Sequence, residues 1–255
     1  MLGKLIKYEF KATARIILPL FGATILFALV SRILMPDPLW YTQGLASALQ
    51  GIMMFFYFIS VFALFIVNLV ILIRRFYKSL FRDEGYLTHT LPVTTDQIIF
   101  GKLIPAFCWY IAAIIIFGLS AAFVFASSWV FQMVPFGELM HEVQRDLGIY
   151  GATVFLLFIN LILSSFVWIL GFYLALSIGQ LFRSARILWS ILIYFGLSIV
   201  VSITSLILEE IFDIAQIGMG GGGGDMLLLT LATLAQGVIY YFIIRQILKK
   251  KLNLS

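Results

Sequence analysis

The main amides that lie deep inside the long apolar stretches of this chain are Asn68, Asn160, Gln180 and Gln236. An amide carries no charge, but it donates and accepts hydrogen bonds, either to a polar cargo or to a neighbouring helix. Within membranes, hydrogen bonds between helices are the more common use of such side chains. These four residues are therefore the candidates for a polar path through the membrane, and interhelical contact is the alternative.

The residues that hydrolytic or metal chemistry needs do not occur inside the apolar stretches. His89 and His141 both lie between stretches, and the chain has no His-Glu-x-x-His pattern. Cys108 is the single cysteine, which excludes a disulfide within the chain. The glycine run Gly220–Gly224 is followed by Asp225 and lacks the lysine of a phosphate-binding loop. We therefore expect no catalytic residue, metal or cofactor in this chain, so any ATP and Mg²⁺ must be bound by a partner.

Six uncharged stretches must position these side chains. A bilayer core about 30 Å thick is crossed by about 20 apolar residues in a helix, and hydrocarbon forces the backbone to satisfy its own hydrogen bonds. Each stretch reaches or approaches that length: Ile16–Ser31, Pro38–Ile73, Leu103–Gly137, Leu147–Phe182, Ile187–Leu208 and Met226–Ile244. The sequence therefore predicts an all-α integral membrane protein with six transmembrane helices.

The composition limits what else the chain contains. Hydrophobic residues make up 62% of the 255 residues, and charged residues make up 11%. Such a balance is unable to cover a soluble surface, and the six stretches occupy most of the chain. We therefore expect residues 1–255 to form a single transmembrane domain.

The charged residues between the stretches predict the orientation. With the N-terminus in the cytoplasm, all of the 17 Lys and Arg residues except Arg32 and Arg145 fall on the cytoplasmic side. This distribution is the positive-inside bias of membrane proteins. It predicts a multi-pass protein of the cell membrane, of the bacterial cytoplasmic type, with both termini cytoplasmic. The net charge of +5 is then a topology signal, and no nucleic-acid partner is expected.

Two segments outside the stretches are predicted to lie along the membrane surface. In residues 1–15 apolar side chains share one helical face and cations share another, which is typical of an interfacial elbow helix that contacts membrane lipid. Those cations are Lys4, Lys7, Lys11 and Arg15. Residues 205–225 combine an apolar stripe with acidic side chains, which predicts a short outer interfacial or re-entrant segment before the glycines.

Residues 74–102 form the cytoplasmic connection between the second and third stretches. The connection begins with a basic, aromatic extension, bends at Gly85, and has exposed apolar side chains up to Pro92. Thr94-Thr95-Asp96-Gln97 then matches the Thr-x-x-Gln capping box that opens a helix. A short apolar helix facing the cytoplasm has no core of its own to fill, so it predicts a docking surface for another protein.

The order of motifs in this connection resembles the loop of type-2 ABC transporter permeases. An acidic residue before Glu84-Gly85, an aliphatic run, Leu91-Pro92-Val93, a hydroxyl-rich cap and Gly101-Lys102 carry the resemblance. His89 stands where the family often has an apolar or small residue. The resemblance covers the whole chain in its span count and layout, and residues 82–102 at the level of motifs. It implies an elbow helix, and a coupling helix that sits in a cleft of a separate ATPase subunit. The candidate ATPase contacts are Glu84, Gly85, Tyr86, Leu87, Thr90, Leu91, Pro92 and Val93.

The resemblance implies a membrane-spanning permease subunit of an ATP-binding-cassette exporter. Such a subunit forms the substrate path with a second permease subunit, as a homodimer or a heterodimer, while the partner ATPases bind ATP and Mg²⁺. The alternative is a secondary carrier or facilitator without an ATPase partner. Ion-driven carriers usually hold ionisable side chains near the membrane midplane, and the six stretches contain no Asp, Glu, Lys, Arg or His. The cargo and the direction of transport stay open.

Overall fold

The computed structural model describes residues 2–34, 45–81, 94–125, 136–182, 185–215 and 223–252. Within these ranges the chain forms helices and no strand: α1 Leu2–Leu34, α2 Leu45–Phe81, α3 Thr95–Phe125, α4 Phe136–Gly179, α5 Arg186–Ala215 and α6 Gly223–Leu252. Each helix contains a segment long and apolar enough to cross a membrane. The prediction of an all-α chain with six such helices is confirmed.

Several helices are longer than a bilayer core requires. With a rise of 1.5 Å per residue, the 44 residues of α4 extend over about 66 Å, against a hydrocarbon thickness of about 30 Å. Its apolar segment is Gly151–Gly179, so residues 136–150 lie beyond the part that can cross. The polar segment before the fourth stretch is thus the first third of a long helix.

The two segments predicted to lie along the membrane surface do not form separate helices. Residues 2–15 are the first turns of α1, which continues to Leu34 and contains Pro19. Proline removes one backbone donor and disturbs one turn, and the remaining helical bonds keep α1 continuous. Residues 205–215 likewise continue α5 without a break, and residues 216–222 lie outside the described ranges.

The chain divides into two compact units. The first unit comprises Gly3–Leu72 and Ile104–Gln144, and the second comprises Met1–Leu2, Ile73–Leu103 and Arg145–Ser255. Because α2 and α3 each cross a boundary, both helices contribute one end to each unit. The second unit therefore contains both ends of the predicted coupling loop.

Three helices pack together in the first unit. Its main buried cluster joins α1, α2 and α3 through Ile17, Phe21, Leu64, Ile71 and Ala113. A smaller buried cluster contains Ala28, Tyr57 and Val124. Hydrogen bonds also cross between the helices; in two of them the Trp109 indole nitrogen donates to the Thr13 hydroxyl at 2.8 Å, and the hydroxyls of Tyr57 and Ser120 lie 3.0 Å apart. These buried side chains are thus paired across helices.

Close packing joins α4, α5 and α6 in the second unit. A Cβ atom added to Gly237 would lie 2.9 Å from a methyl carbon of Val167, so α6 approaches α4 where only glycine fits without a shift. On the other side of α4, the rings of Phe172 and Tyr194 stack with centroids 4.0 Å apart. In a membrane, burying apolar side chains between helices gives little hydrophobic gain, because lipid is already apolar. Close approach at small residues and stacking of aromatic rings then hold the helices together.

A hydrogen-bonded turn follows the end of α4. The Leu181 amide donates to the Ile178 carbonyl at 2.9 Å, and Ala185 adopts a φ of 50° just before α5 begins. A left-handed conformation costs a residue with a Cβ about 1–2 kcal/mol. Stacking of Phe182 on Trp189, with centroids 4.5 Å apart, bridges the turn.

Candidate functional site

The predicted coupling loop lies between two described helix ends. Residues 82–93, and with them the coupling helix and all eight candidate ATPase contacts, lie outside the described residues. The contacts in question are Glu84, Gly85, Tyr86, Leu87, Thr90, Leu91, Pro92 and Val93. The helix before this segment ends at Phe81, and the helix after it begins at Thr95. What the structure describes is therefore the frame that holds the loop.

The capping box forms at the start of α3 as the sequence predicts. The backbone N–H of Gln97 donates to the Thr94 hydroxyl at 3.3 Å, and the backbone N–H of Thr94 donates to the Gln97 side-chain oxygen at 3.3 Å. This reciprocal pair satisfies two of the backbone groups that a helix start leaves open. The loop thus ends at a defined residue, Thr94.

The end of α2 is fixed to α4 by aromatic stacking. Phe76 and Tyr173 stack in parallel with ring centroids 3.9 Å apart, and both side chains are almost fully buried. The Tyr173 hydroxyl also reaches the backbone carbonyl of Lys102 in α3 at 3.4 Å. Leu80, in the last turn of α2, is buried as well. One tyrosine of α4 therefore contacts the helices on both sides of the loop.

The start of α3 is fixed to the end of α6 by a charged cluster. The two oxygens of Asp96 face the Arg245 guanidinium, with Nε to Oδ1 at 2.8 Å and Nη2 to Oδ2 at 3.0 Å. Nε lies within ion-pairing distance of Oδ1 but does not form a hydrogen bond, whereas Nη2 donates a hydrogen bond to Oδ2. The Tyr241 hydroxyl donates to Oδ1 at 2.7 Å, and its ring lies against Phe100. Two-point pairing of arginine with a carboxylate fixes orientation as well as distance. We name Asp96, Tyr241 and Arg245 the α3–α6 clamp.

Asn68, one of the four predicted path residues, is used as an interhelical contact in the first unit. Its side chain is 4% exposed, and its amide nitrogen donates to the Trp109 carbonyl at 3.1 Å. Trp109 in turn donates to Thr13, so α1, α2 and α3 meet at one polar point. An amide held in this way is a structural contact between spans.

Two other predicted path residues, Asn160 and Gln236, are bonded within the second unit. Asn160 donates to the Thr233 hydroxyl at 3.2 Å, which links α4 to α6. Gln236 donates to the Tyr240 hydroxyl at 3.0 Å, one turn along α6. Gln180 is buried at the end of α4, at 3% exposure. Asn160 and Gln236 thus lie on the same pair of packed helices, whereas Asn68 belongs to the other unit.

The described residues contain no group of three or more His, Cys, Asp or Glu side chains that is suited to a metal ion. The chain matches no protein-family model, no curated protein and no solved structure. Its function must therefore be argued from its own residues.

Reasoning from the sequence missed the two contacts that anchor the loop ends. The α3–α6 clamp has a partial signal: Tyr241 and Arg245 are four residues apart and so share a helical face, and Asp96 is the acidic residue in the first turn of α3. The role of Tyr173 has no such signal, since it lies in a long apolar run with many aromatic residues. Only the fold brings these residues to the loop.

Proposed function

We propose that this chain is the membrane-spanning permease subunit of an ATP-binding-cassette exporter, coupled through residues 82–93 to a separate ATPase. The observation that carries the proposal is the pair of contacts that hold the helix ends on either side of that loop. At its start, α2 is stacked on α4 through Phe76 and Tyr173, and at its end, α3 is held to α6 by the α3–α6 clamp. A force applied to the loop would therefore reach four helices.

The chemistry of the loop suits a protein partner. Tyr86, Leu87, Leu91 and Val93 supply apolar area, and Glu84 supplies a charge, so the loop combines an apolar centre with a polar edge. In this proposal the partner ATPase binds ATP and Mg²⁺, and its closure moves the loop. The permease contributes the lever and the substrate path, without a catalytic residue of its own.

A second permease subunit is part of the proposal. In α5 only 6% of the apolar segment is buried within the chain, against 17–33% for the other five helices. A helix that packs so little against its own chain has a face left for lipid or for another subunit. A homodimer or heterodimer through such a face would place the substrate path between two subunits, with both termini and the loop on the cytoplasmic side.

The proposal is tested by purifying the tagged chain from its native membranes in mild detergent and identifying what accompanies it by mass spectrometry. We expect an ABC ATPase at about one copy per permease. Replacing Leu87→Asp together with Leu91→Asp removes apolar contact area and adds two charges, so the ATPase is expected to fall by at least tenfold. The matched control is Met133→Asp with Val134→Asp, the same change of charge in the segment between α3 and α4.

The outcomes separate the two candidate functions. Retention of the ATPase in the control and its loss in the loop variant would establish both the partner and the contact surface. Equal loss in both variants would point to misfolding, and the proposal would then require single substitutions at Leu87 or Leu91 to lower ATPase recovery. Recovery of the chain without any ATPase in several gentle detergents would contradict the permease and favour the carrier or facilitator.

A further inference from the structure

A groove of about 560 Å³ lies between the end of α2 and the start of α5. It is lined by Tyr77, Ala185, Arg186, Ile187, Leu188 and Ile191. The groove is shallow and largely open on its outer side. The lining is aliphatic apart from one guanidinium and one phenol, so the groove suits a ligand with a long apolar part and an anionic end.

The cation in this groove is available to a ligand. The side chain of Arg186 is exposed, and its guanidinium has no ion-pair partner among the residues that the structure describes. On the opposite wall, Tyr77 of α2 contributes a phenol. The positive charge in the groove lining is therefore that of Arg186.

The position of the groove along the two helices matches a membrane interface. The apolar segment of α2 ends at Lys78, and that of α5 begins at Arg186. The half-exposed Trp189 stacks on Phe182 near this level, and tryptophans of this kind concentrate at membrane interfaces. From Arg186 to Ile191, α5 rises by about 7.5 Å, so the aliphatic lining continues from the headgroup level into the hydrocarbon.

We propose that this groove binds one anionic phospholipid of the membrane leaflet that faces residues 74–78. Its phosphate lies at the Arg186 guanidinium, and one acyl chain lies along Ile187, Leu188 and Ile191. Basic pockets between membrane helices favour anionic headgroups over zwitterionic ones, and the aliphatic wall holds a chain that a free phosphate lacks. The inference is independent of the proposed transport function, since it needs no ATPase and no cargo.

The test measures binding of phosphatidylglycerol and phosphatidylcholine to the full-length protein in detergent by native mass spectrometry. We expect phosphatidylglycerol to bind about fivefold tighter, since one basic residue near an anionic headgroup contributes about a factor of five. Arg186→Gln is expected to abolish this preference, and Arg186→Lys to keep most of it. Lys249→Gln, an exposed cation on α6 outside the groove lining, is the control and is expected to leave the preference within twofold.

Other arms of the experiment distinguish the groove from a general charge effect. Ile191→Trp fills the aliphatic wall without changing any charge, and it is expected to weaken phosphatidylglycerol binding at least fivefold. Equal binding of the two lipids, or equal loss in Arg186→Gln and Lys249→Gln, would overturn the proposal. Competition by glycerol phosphate at the concentration of the lipid would also overturn the proposal, because the site would then bind the phosphate without needing an acyl chain. If Arg186→Gln fails to fold, unchanged binding in Ile191→Trp is sufficient to reject the groove.

Discussion

Removing the charge of Asp96 tests whether the start of α3 is held to α6. Asp96→Asn keeps the shape of the side chain but replaces a carboxylate by an amide. The Arg245 guanidinium then loses its two-point partner, and the Tyr241 hydroxyl donates to a neutral oxygen. The helix that follows the predicted coupling loop would lose this polar link to α6.

The expected magnitude follows from the partial exposure of the pair. Asp96 and Arg245 are each 34% exposed, so solvent screens much of their attraction. Exposed pairs contribute about 0.2–1 kcal/mol, and two-point geometry favours the upper end of that range. Losing a hydrogen bond to a charged group costs about 1.5 kcal/mol or somewhat less when solvent competes. We therefore expect a loss of about 2 kcal/mol, or a fall of about 4–8 °C in the unfolding midpoint for a chain of this size.

A double-mutant cycle isolates the pair from the other effects of each change. Thermal unfolding of Asp96→Asn, Arg245→Gln and the double variant is followed by tryptophan fluorescence in one detergent. We expect the double variant to be more stable than the sum of the single effects by about 1 kcal/mol. Lys249→Gln, an exposed cation one turn further along α6, is the control and should change the midpoint little. Single effects that add within about 0.3–0.5 kcal/mol would refute the clamp.

Two further predictions concern backbone positions. Gly179→Ala places a Cβ against the Ser190 hydroxyl and 2.9 Å from both the Arg186 carbonyl oxygen and the Ser190 nitrogen, so we expect a loss of about 1–3 kcal/mol in thermal stability. Gly118→Ala, with no atom within 4 Å of the added carbon, is the matched control, and an equal loss there would contradict the packing argument. Pro105→Ala restores the backbone donor opposite the Gly101 carbonyl in α3. We expect slower amide hydrogen exchange over residues 102–109 by mass spectrometry, and unchanged exchange would show that the proline does not loosen this turn.

The features that the sequence predicts well are local ones. Six helices follow from apolar length and from the cost of unpaired backbone in hydrocarbon. The start of α3 follows from Thr94 and Gln97, which are three residues apart and need no other part of the chain. The structure does not show a separate elbow helix over residues 2–15, because a change from charged to apolar side chains alters the surroundings of a helix but does not end it.

The features that the sequence does not predict depend on residues far apart in the chain. Asp96 and Arg245 are separated by 149 positions, and Phe76 meets Tyr173 only because α2 and α4 pack side by side. Many aromatic residues of the chain have similar local surroundings, so none stands out before the helices are placed. The sequence identifies the buried amides as hydrogen-bonding groups, but it does not decide between a polar path and contacts between helices. That choice depends on the hydrogen-bond partners of Asn68 and Asn160, which only the fold provides.

The difference between α2 and α3 bears on how a push on the loop would travel. Each helix has its loop end in the second unit and its other end in the first. From Ile52 to Phe81, α2 contains no glycine or proline, so every helical bond is available and the helix resists bending. In α3, Gly101 and Pro105 lie on either side of the point where the helix passes between units, and proline leaves one carbonyl without its helical donor. In the proposed coupling, a displacement of residues 82–93 would therefore be transmitted along the unbroken α2 and would bend α3 near Gly101 and Pro105, while the α3–α6 clamp holds the start of α3.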